Sequence, residues 1–372
     1  MSTAIPHTNR AIVCTEKGKA EIRDNLPIPQ LSDGQILVKV RAVGINPTDW
    51  KSIDHAEPDR YGARSGCDFA GEVVQVAAEG MTKDIRVGDR SAGFVFGLSW
   101  KTPDNGSFGE YVAVKEGVQL KVPDPVTDEE AATLGVSVTT VGQGLYKALG
   151  LPLPNNPSPT PFPVLIYGGS TATGIYGIKY AKLSGLTVIA TSSPHNFDLL
   201  RSVGADHVFD YRSPTVGADI RALTDNKLKY AWDCTGFGAA ICAAALSDNE
   251  DDDGHGAGRE KPKYGTIIPV KKEDLHTVNP AVDGPYFTLG YDAQGQEYPR
   301  MGPGRPWYKA QKDEVEFARM FWTLTQELLE KKALTPLRPD VNRLGAGLEG
   351  VLKGLDELRN DRVSGTKLVY TL

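Results

Sequence analysis

The stretch Val164-Leu-Ile-Tyr-Gly-Gly-Ser-Thr-Ala-Thr-Gly174 decides the fold of this chain. Its first four residues form an apolar run that is too short for a helix and suits a parallel strand buried on both faces. A glycine-rich turn follows, and residues 175–184 then have the pattern of a helix. A strand, a glycine-rich turn and a helix in this order predict a dinucleotide-binding βαβ unit.

The residues after this unit continue the alternation of strands and helices. Further strands are predicted at 186–190, 207–209, 229–233 and 265–270, and a helix is predicted at 197–203. Strands that alternate with helices indicate a doubly wound parallel sheet, so this part of the chain is predicted to be a Rossmann domain.

The residues before this unit have a different texture. Short β-rich runs at 35–43, 71–76 and 111–114 are separated by Gly-Asp and Asn-Gly turns, which is typical of a partly open β-barrel. A helical pattern then covers 127–149, with acidic residues in its first turn. The segment 152–163 contains six prolines and is predicted to be an extended connector (Pro152, Pro154, Pro157, Pro159, Pro161, Pro163).

Composition narrows the classes of function. The chain has 372 residues, with 41 Lys+Arg against 47 Asp+Glu and a formal net charge of −6, which argues against bulk nucleic-acid binding. No run of eighteen apolar residues and no apolar signal-peptide core occur, so no membrane span or secretion is expected. The four cysteines are scattered and form no Cys-x-x-Cys pair. We therefore expect a cytoplasmic protein with reduced thiols.

The second strand of the Rossmann unit bears on which dinucleotide is bound. NAD-preferring enzymes usually place an acidic residue at its end, whereas Ala190-Thr-Ser-Ser-Pro-His-Asn196 has none. A carboxylate about 4 Å from a 2′-phosphate would cost on the order of 4 kcal/mol at an effective dielectric of about 20. Hydroxyl and amide groups at Ser192, Ser193 and Asn196 can donate to a phosphate, and His195 either adds charge or is simply exposed. NADP is favoured, although this turn holds no Arg or Lys.

Metal binding has little support in the sequence. Zinc sites need Cys, His or carboxylates that converge, and Cys67-Asp68 has no clustered cysteines beside it. Cys67 is either part of such a site or a small buried apolar residue, and we predict the latter and no metal. Two other segments have plain interpretations: the acidic residues 248–263 are predicted to be a solvated surface loop rather than a metal or partner tail, and 313–333 an amphipathic helix with core aromatics.

Seven motifs, in order along nearly the whole chain, resemble landmarks of the medium-chain dehydrogenase/reductase superfamily: Gly44-Ile-Asn-Pro-Thr-Asp-Trp-Lys51, Gly66-Cys-Asp-Phe-Ala-Gly-Glu-Val73, Val87-Gly-Asp-Arg90, Gly106-Ser-Phe-Gly-Glu-Tyr-Val112, Gly204-Ala-Asp-His-Val-Phe-Asp-Tyr211, Asp233-Cys-Thr-Gly236 and Gly365-Thr-Lys-Leu-Val369. Where zinc alcohol dehydrogenases carry a metal-binding Cys, this chain has Asn46, so it resembles the zinc-free, quinone-oxidoreductase-like branch. Gly135-Val-Ser-Val-Thr-Thr-Val-Gly142 and Gly169-Ser-Thr-Ala-Thr-Gly174 are similar to the fungal trans-acting enoyl reductases of polyketide synthases, of the lovastatin type.

The resemblance implies an architecture and an activity. It implies a GroES-like catalytic domain at 1–155, a Rossmann NADP-binding domain at 156–300, and a return to the catalytic domain at 301–372. It also implies a monomer that uses NADPH to reduce an α,β-unsaturated thioester on the acyl carrier domain of a separate synthase. A stand-alone quinone or alkenal reductase and a non-catalytic NADPH-binding scaffold remain as alternatives.

The resemblance further implies roles for individual residues. Lys51 would stabilise the developing charge or position the cofactor, and Thr139 would donate to the acyl carbonyl; a surface lysine and a helix-packing threonine are the alternatives. The implied cofactor-binding residues are Pro47, Thr48, Asp49, Trp50, Gly169, Ser170, Thr171, Ala172, Thr173, Gly174, Ser193, Pro194, His195, Asn196, Tyr211, Ile267, Ile268, Val363 and Ser364. The implied acyl-pocket residues are Gly135, Val136, Ser137, Val138, Thr139, Thr140, Val141, Gly142, Tyr286, Phe287, Thr288, Leu289 and Gly290.

Overall fold

The computed structural model describes residues 5–248, 261–299 and 307–372. Their strands are β1 (Thr8–Glu16), β2 (Lys19–Pro27), β3 (Gln35–Gly44), β4 (Asp68–Val76), β5 (Arg90–Phe94), β6 (Tyr111–Lys115), β7 (Gln119–Lys121), β8 (Pro163–Tyr167), β9 (Thr187–Ser192), β10 (His207–Asp210), β11 (Tyr230–Asp233), β12 (Lys263–Thr266), β13 (Asp283–Phe287), β14 (Tyr298–Pro299), β15 (Trp307–Tyr308), β16 (Pro339–Val341) and β17 (Lys367–Thr371). Their α-helices are α1 (Pro47–Asp54), α2 (Asp128–Ala131), α3 (Gly135–Val141), α4 (Ala172–Leu183), α5 (Phe197–Ser202), α6 (Val216–Leu223), α7 (Ala239–Ala245), α8 (Lys272–His276), α9 (Lys312–Glu330) and α10 (Gly347–Arg359).

The chain divides into two units. The first unit comprises residues 1–139 and 290–372, and the second unit comprises residues 140–289. The sequence predicts domain limits at 155/156 and 300/301. Each lies downstream of the corresponding division between the units, at 139/140 and 289/290. The helical segment that begins at Gly135 crosses the first division, before the proline-rich connector.

The second unit contains a six-stranded parallel sheet in the order β10-β9-β8-β11-β12-β13. The strands on either side of β8 and β11 are added in opposite directions, which makes the gap between these two strands the topological switch point where ligands bind in such sheets. Ile166 on β8 and Trp232 on β11 are fully buried, as expected for a sheet covered on both faces. The predicted doubly wound Rossmann fold is confirmed.

The first unit is built on a sheet in the order β16-β17-β3-β4-β5-β7, with β6 also pairing with β3. Apolar side chains that alternate along β3 and β4 enter one core, among them Val38 and Phe69. Val351 of α10 belongs to the same core, so the C-terminal helix closes the sheet formed mainly by the N-terminal strands. The predicted β-rich N-terminal part is confirmed, with helix α1 (Pro47–Asp54) between β3 and β4.

Two local predictions are wrong in detail. The helix predicted at 127–149 is broken into α2, α3 and a π-helical segment at Gly142–Ala148. A Cβ on Gly144 would lie 2.3 Å from the indole Nε1 of Trp232, so the packed indole leaves room only for glycine there. The strand predicted at 265–270 ends at Thr266, whose hydroxyl donates to the carbonyl of Ile268 and turns the backbone out of the sheet. The helix predicted at 313–333 is confirmed as α9, with Trp322 fully buried.

Two other expectations concern the acidic segment and membrane-spanning helices. Of the acidic segment 248–263, residues 249–260 lie outside the described residues. Within the described ranges, no helix combines the length and the apolar character that a bilayer crossing requires.

Candidate active site

The glycine-rich turn after β8 has a geometry that only glycine permits at two positions. Gly168 has a φ of 78°, and a Cβ on it would lie 2.4 Å from Cγ2 of Thr235. A Cβ on Gly174 would lie 2.4 Å from the carbonyl oxygen of Gly168. Thr171 begins α4 by accepting from the Gly174 N–H at 2.9 Å and donating to the Gly168 carbonyl at 2.9 Å. The turn therefore brings the backbone close to the helix N-terminus, where N–H groups suit a pyrophosphate.

The loop after β11 forms the other side of the switch point. The buried carboxylate of Asp233 accepts hydrogen bonds from the N–H groups of Thr235, Gly236 and Gly238, and from the hydroxyl of Tyr264 at 2.9 Å. These bonds fix the shape of the loop, and its Thr235 lies against the turn at Gly168. A Cβ on Gly236 would lie 2.5 Å from Cβ of Ile268, so the predicted cofactor residue Ile268 also lies at this edge of the sheet.

The ends of β9 and β10 lie side by side at the same edge. Ser192 is the register partner of Asp210, so Ser193 and Tyr211 follow at neighbouring positions. The ring of Tyr211 lies 6.3 Å from that of Tyr167 and is 36% exposed. The structure thus brings together the residues predicted for the pyrophosphate and for the 2′-phosphate.

A buried ion pair organises the polar interior of the first unit. The Lys367 ammonium donates to the carboxylate of Asp68, to Oδ1 of Asn46 at 2.9 Å and to the carbonyl of Thr133 at 3.3 Å. Both charged side chains are essentially inaccessible to solvent. The other oxygen of Asp68 accepts from the Val136 N–H at 2.7 Å, which anchors the start of α3. The pair therefore connects β17, β4, α3 and the start of α1.

Asp49 adds a second buried carboxyl beside this pair. Its Oδ2 accepts from the Asn46 N–H at 2.7 Å, and the residue is 2% exposed. Burial, and next the Asp68 carboxylate, raise the pKa of Asp49 to about 7. A group with this pKa exchanges a proton near neutral pH.

The hydroxyl of Tyr291 lies beside α1. Its Oη is 2.6 Å from Oγ1 of Thr48 and 3.8 Å from Sγ of Cys67. Burial is the main cause that raises the pKa values of both Cys67 and Tyr291, so both groups remain protonated. Cys67 is buried, as the sequence predicted.

The chain is similar to known proteins along almost its full length. It is 41% identical over 369 residues to the curated trans-enoyl reductase ACTTS2 of Alternaria alternata, with 98% of this chain and 99% of that protein covered. It is 38% identical to trans-enoyl reductase resD of Aspergillus sclerotiorum, with 97% and 99% covered. The chain belongs to the trans-enoyl reductases.

Family models and solved structures agree with this assignment. Residues 32–124 of this trans-enoyl reductase match the alcohol dehydrogenase GroES-like domain, and residues 172–247 match the zinc-binding dehydrogenase model. The crystal structure of CurK enoyl reductase covers 98% of the chain with a TM-score of 0.72 at 17% identity, and 99% of that chain is covered. A mycobacterial structure complexed with NADPH gives 0.72 at 20% identity, with 98% and 100% covered. The medium-chain dehydrogenase/reductase fold is therefore shared.

The description of one family model implies zinc, and the residues here do not fit it. A zinc site needs Cys, His or carboxylates that converge on one point. In this trans-enoyl reductase the Lys367 ammonium already lies against Asp68 and Asn46, so a cation would meet a positive charge among these donors. Among the described residues, no group of three or more His, Cys, Asp or Glu could hold a metal ion.

The two predicted catalytic residues lie in contrasting environments. Lys51 is exposed, with its Nζ 5.5 Å from the centroid of the Trp50 ring. Thr139 is buried, and its hydroxyl donates to the Gly135 carbonyl at 3.2 Å and accepts from Trp322 Nε1 at 3.1 Å. Thr139 would have to release the Gly135 carbonyl before donating to a substrate.

The remaining predicted residues are placed as follows. Residues 135–142 lie on α3 and at the start of the π-helical segment, and all but Val136 are buried. Residues 286–290 are half-buried at and after edge strand β13, and Val363 and Ser364 precede β17.

Sequence reasoning missed Tyr291 and Lys367. Lys367 stands at the start of β17 beside the polar Thr366, a place where a lysine is ordinarily exposed, so its own segment gives no signal.

Proposed function

We propose that the chain uses NADPH to reduce the α,β double bond of an unsaturated polyketide thioester carried on the acyl carrier domain of a partner synthase. The observation that carries this proposal is the likeness, over the full chain, to relatives named trans-enoyl reductases. Two features of the structure support it. One is a glycine turn suited to a pyrophosphate, and the other is a polar cluster in the first unit that offers protons.

The second unit supports a phosphorylated nicotinamide nucleotide. Bound NADPH would supply the hydride that adds to the β-carbon of the enoyl group. Residues 170–173 would donate backbone N–H groups to the pyrophosphate, and Asp233 would keep the facing loop in place. Ser193 and Tyr211 would flank the 2′-phosphate, since their strands are adjacent and parallel.

Arg212 gives the first test of NADPH preference. It follows Tyr211, and its guanidinium lies 5.0 Å from the centroid of that ring. A charge-assisted hydrogen bond to a phosphate contributes about 1.5–3 kcal/mol. Arg212→Ala is therefore expected to raise the Kd of NADPH by roughly tenfold to a hundredfold, while the Kd of NADH stays unchanged.

Fluorescence titration with both nucleotides measures this difference. Arg201→Ala is the matched control, because the Arg201 guanidinium pairs with Asp198 at 3.1 Å and lies over Phe197. Equal weakening of NADPH and NADH in the Arg212 variant would contradict the assignment.

Lys51 is proposed to act on the charge that develops during the reaction. Hydride addition to the β-carbon places negative charge on the thioester oxygen, and a nearby ammonium stabilises that charge. Lys51→Ala is expected to lower turnover of an enoyl-pantetheine by tenfold or more, with NADPH binding retained. Steady-state kinetics with nucleotide titration test this, and Lys39→Ala, at another exposed lysine, is the control. Wild-type turnover in the Lys51 variant would remove Lys51 from the mechanism.

One experiment tests the proposed function as a whole. The partner synthase is assayed with and without this chain, and the mass of the product reports whether the double bond has been reduced. A mass increase of two hydrogens only when the chain is present is the expected result. Crotonyl-pantetheine and a quinone are tested in parallel; oxidation of NADPH by the quinone alone would support a stand-alone quinone reductase. NADPH binding without substrate-dependent oxidation would support a non-catalytic scaffold.

A further inference from the structure

Four side chains of the first unit form a continuous chain of exchangeable protons. The Thr48 hydroxyl meets the Tyr291 hydroxyl at 2.6 Å, and Tyr291 Oη lies 3.8 Å from the sulfur of Cys67. The Cys67 thiol and the Asp49 carboxyl are in turn close enough to affect each other's pKa. Thr48 and Tyr291 are half-buried, whereas Cys67 and Asp49 are buried. The two hydroxyl-bearing residues are therefore the more accessible members of this group.

The Tyr291 hydroxyl is held rigidly. Its ring stacks on Phe96, with centroids 3.9 Å apart and planes inclined by 15°, and lies 5.7 Å from the ring of Phe94. Phe94 and Phe96 are themselves buried. A fixed phenol at the accessible end of a proton chain has the geometry of a general acid, which must be aimed before the reaction begins.

We propose that Tyr291 is the catalytic acid that protonates the α-carbon of the reduced substrate, and that Cys67 and Asp49 resupply its proton. This inference rests on the proposed enoyl reduction. Hydride addition to the β-carbon leaves an enolate, which then needs one proton at the α-carbon. In this proposal Tyr291 and Asp49 transfer protons, which is a different role from binding the cofactor.

Every proton and electron pair in this step passes between the groups named here. The enolate electron pair forms the α-C–H bond as the O–H bond of Tyr291 breaks. The tyrosinate takes the thiol proton of Cys67, and the thiolate takes the carboxyl proton of Asp49. Asp49 ends as a carboxylate, and between turnovers a proton from solvent returns to it through Tyr291 and Cys67. NADPH is oxidised, and the double bond is reduced.

The charges around the chain suit this direction of transfer. Burial raises the pKa values of Tyr291 and Cys67, so the protonated form of each is favoured. Asp49 faces the carboxylate of Asp68 and the thiol of Cys67, and the Lys367 ammonium opposes their effect; its pKa is raised to about 7. Among the four side chains, Asp49 is thus the one that holds a proton at neutral pH and can also lose it.

Stereochemistry at the α-carbon tests the role of Tyr291 directly. Reduction of 2-methylcrotonyl-pantetheine by NADPH in D₂O should give one α-configuration with the wild-type chain. Tyr291→Phe should lower turnover by about a hundredfold or more and give both configurations, because solvent then protonates the enolate from either face. Tyr298→Phe is the matched control: its ring lies 6.2 Å from Tyr291, but its hydroxyl bonds to Asp292.

A pH profile of turnover tests the supply of protons from Cys67 and Asp49 separately from the role of Tyr291 as the acid. Turnover by the wild-type chain should fall as pH rises above about 7, because Asp49 then loses its proton. Cys67→Ala, which cuts the connection between Tyr291 and Asp49, should be slower and lose this limb.

Two results overturn the proposal. One is a Tyr291→Phe variant that keeps wild-type turnover and a single α-configuration. The other is a Cys67→Ala variant that keeps the wild-type pH profile, which removes Cys67 and Asp49 from the proton supply. If the wild-type chain itself fails to reduce the enoyl-pantetheine, the proposed function falls and the role of Tyr291 falls with it. Thermal melting of each variant confirms that the fold is retained.

Discussion

Lys367→Met is expected to lower the free energy of unfolding by about 3–5 kcal/mol, the usual cost of breaking a buried ion pair from one side. The methionine has a similar volume, so the loss is electrostatic rather than one of packing. Asp68 would remain inaccessible to solvent, with the Val136 N–H still donating to one oxygen and the other oxygen deprived of its ammonium. Asn46 Oδ1 would also lose its donor. Urea unfolding, monitored by tryptophan fluorescence, measures the change.

The double variant Lys367→Met/Asp68→Asn is the matched control. It removes both charges while keeping an oxygen that can accept from Val136. It is expected to recover part of the lost stability, because no buried charge is then left without its partner. A single variant as stable as the wild type would contradict the role given to the pair. So would a double variant that is as unstable as the single one.

The fold of the second unit could be predicted from the sequence because its signals are local. The apolar run Val164–Tyr167, the glycines that follow it and the next strand lie within about thirty residues. Each of these signals has a physical cause that acts on neighbouring residues: burial on both faces for the strand, and close backbone approach for the turn. The same local reasoning failed for the helix at 127–149. The indole that packs against Gly144 belongs to Trp232, which lies on a strand much later in the chain.

The polar interior of the first unit could not be predicted in the same way. Asp68 and Lys367 are 299 residues apart in sequence, and Thr48 and Tyr291 are 243 residues apart. Each of these residues is an ordinary type in its own segment, and only the folded chain brings them together. Thr48 and Asp49 were singled out through a family motif, which indicates cofactor contact but carries no information on proton transfer.

Gly174→Ala is expected to raise the Kd of NADPH by about a hundredfold or more, since displacements near 1 Å at a positioning group can have effects of this size. The added Cβ would lie 2.4 Å from the Gly168 carbonyl oxygen and 2.9 Å from Cα of Gly169, so backbone must move at the turn itself. The N-terminus of α4 would shift away from the pyrophosphate, and the bond from Gly174 N–H to Thr171 would weaken. Overpacking would also lower the free energy of unfolding by about 1–3 kcal/mol.

Gly217→Ala separates the effect on binding from the effect on stability. Its Cβ would lie 2.6 Å from Cβ of Ala244, so it overpacks the same unit on α6, whereas Gly174 lies in the first turn of α4. This control is expected to lose stability within the same range of about 1–3 kcal/mol and to bind NADPH normally. Calorimetric titration of both variants, each checked by its melting temperature, distinguishes the two. If Gly174→Ala binds NADPH as tightly as Gly217→Ala does, the turn after β8 does not hold the pyrophosphate, and the cofactor assignment of the second unit is wrong.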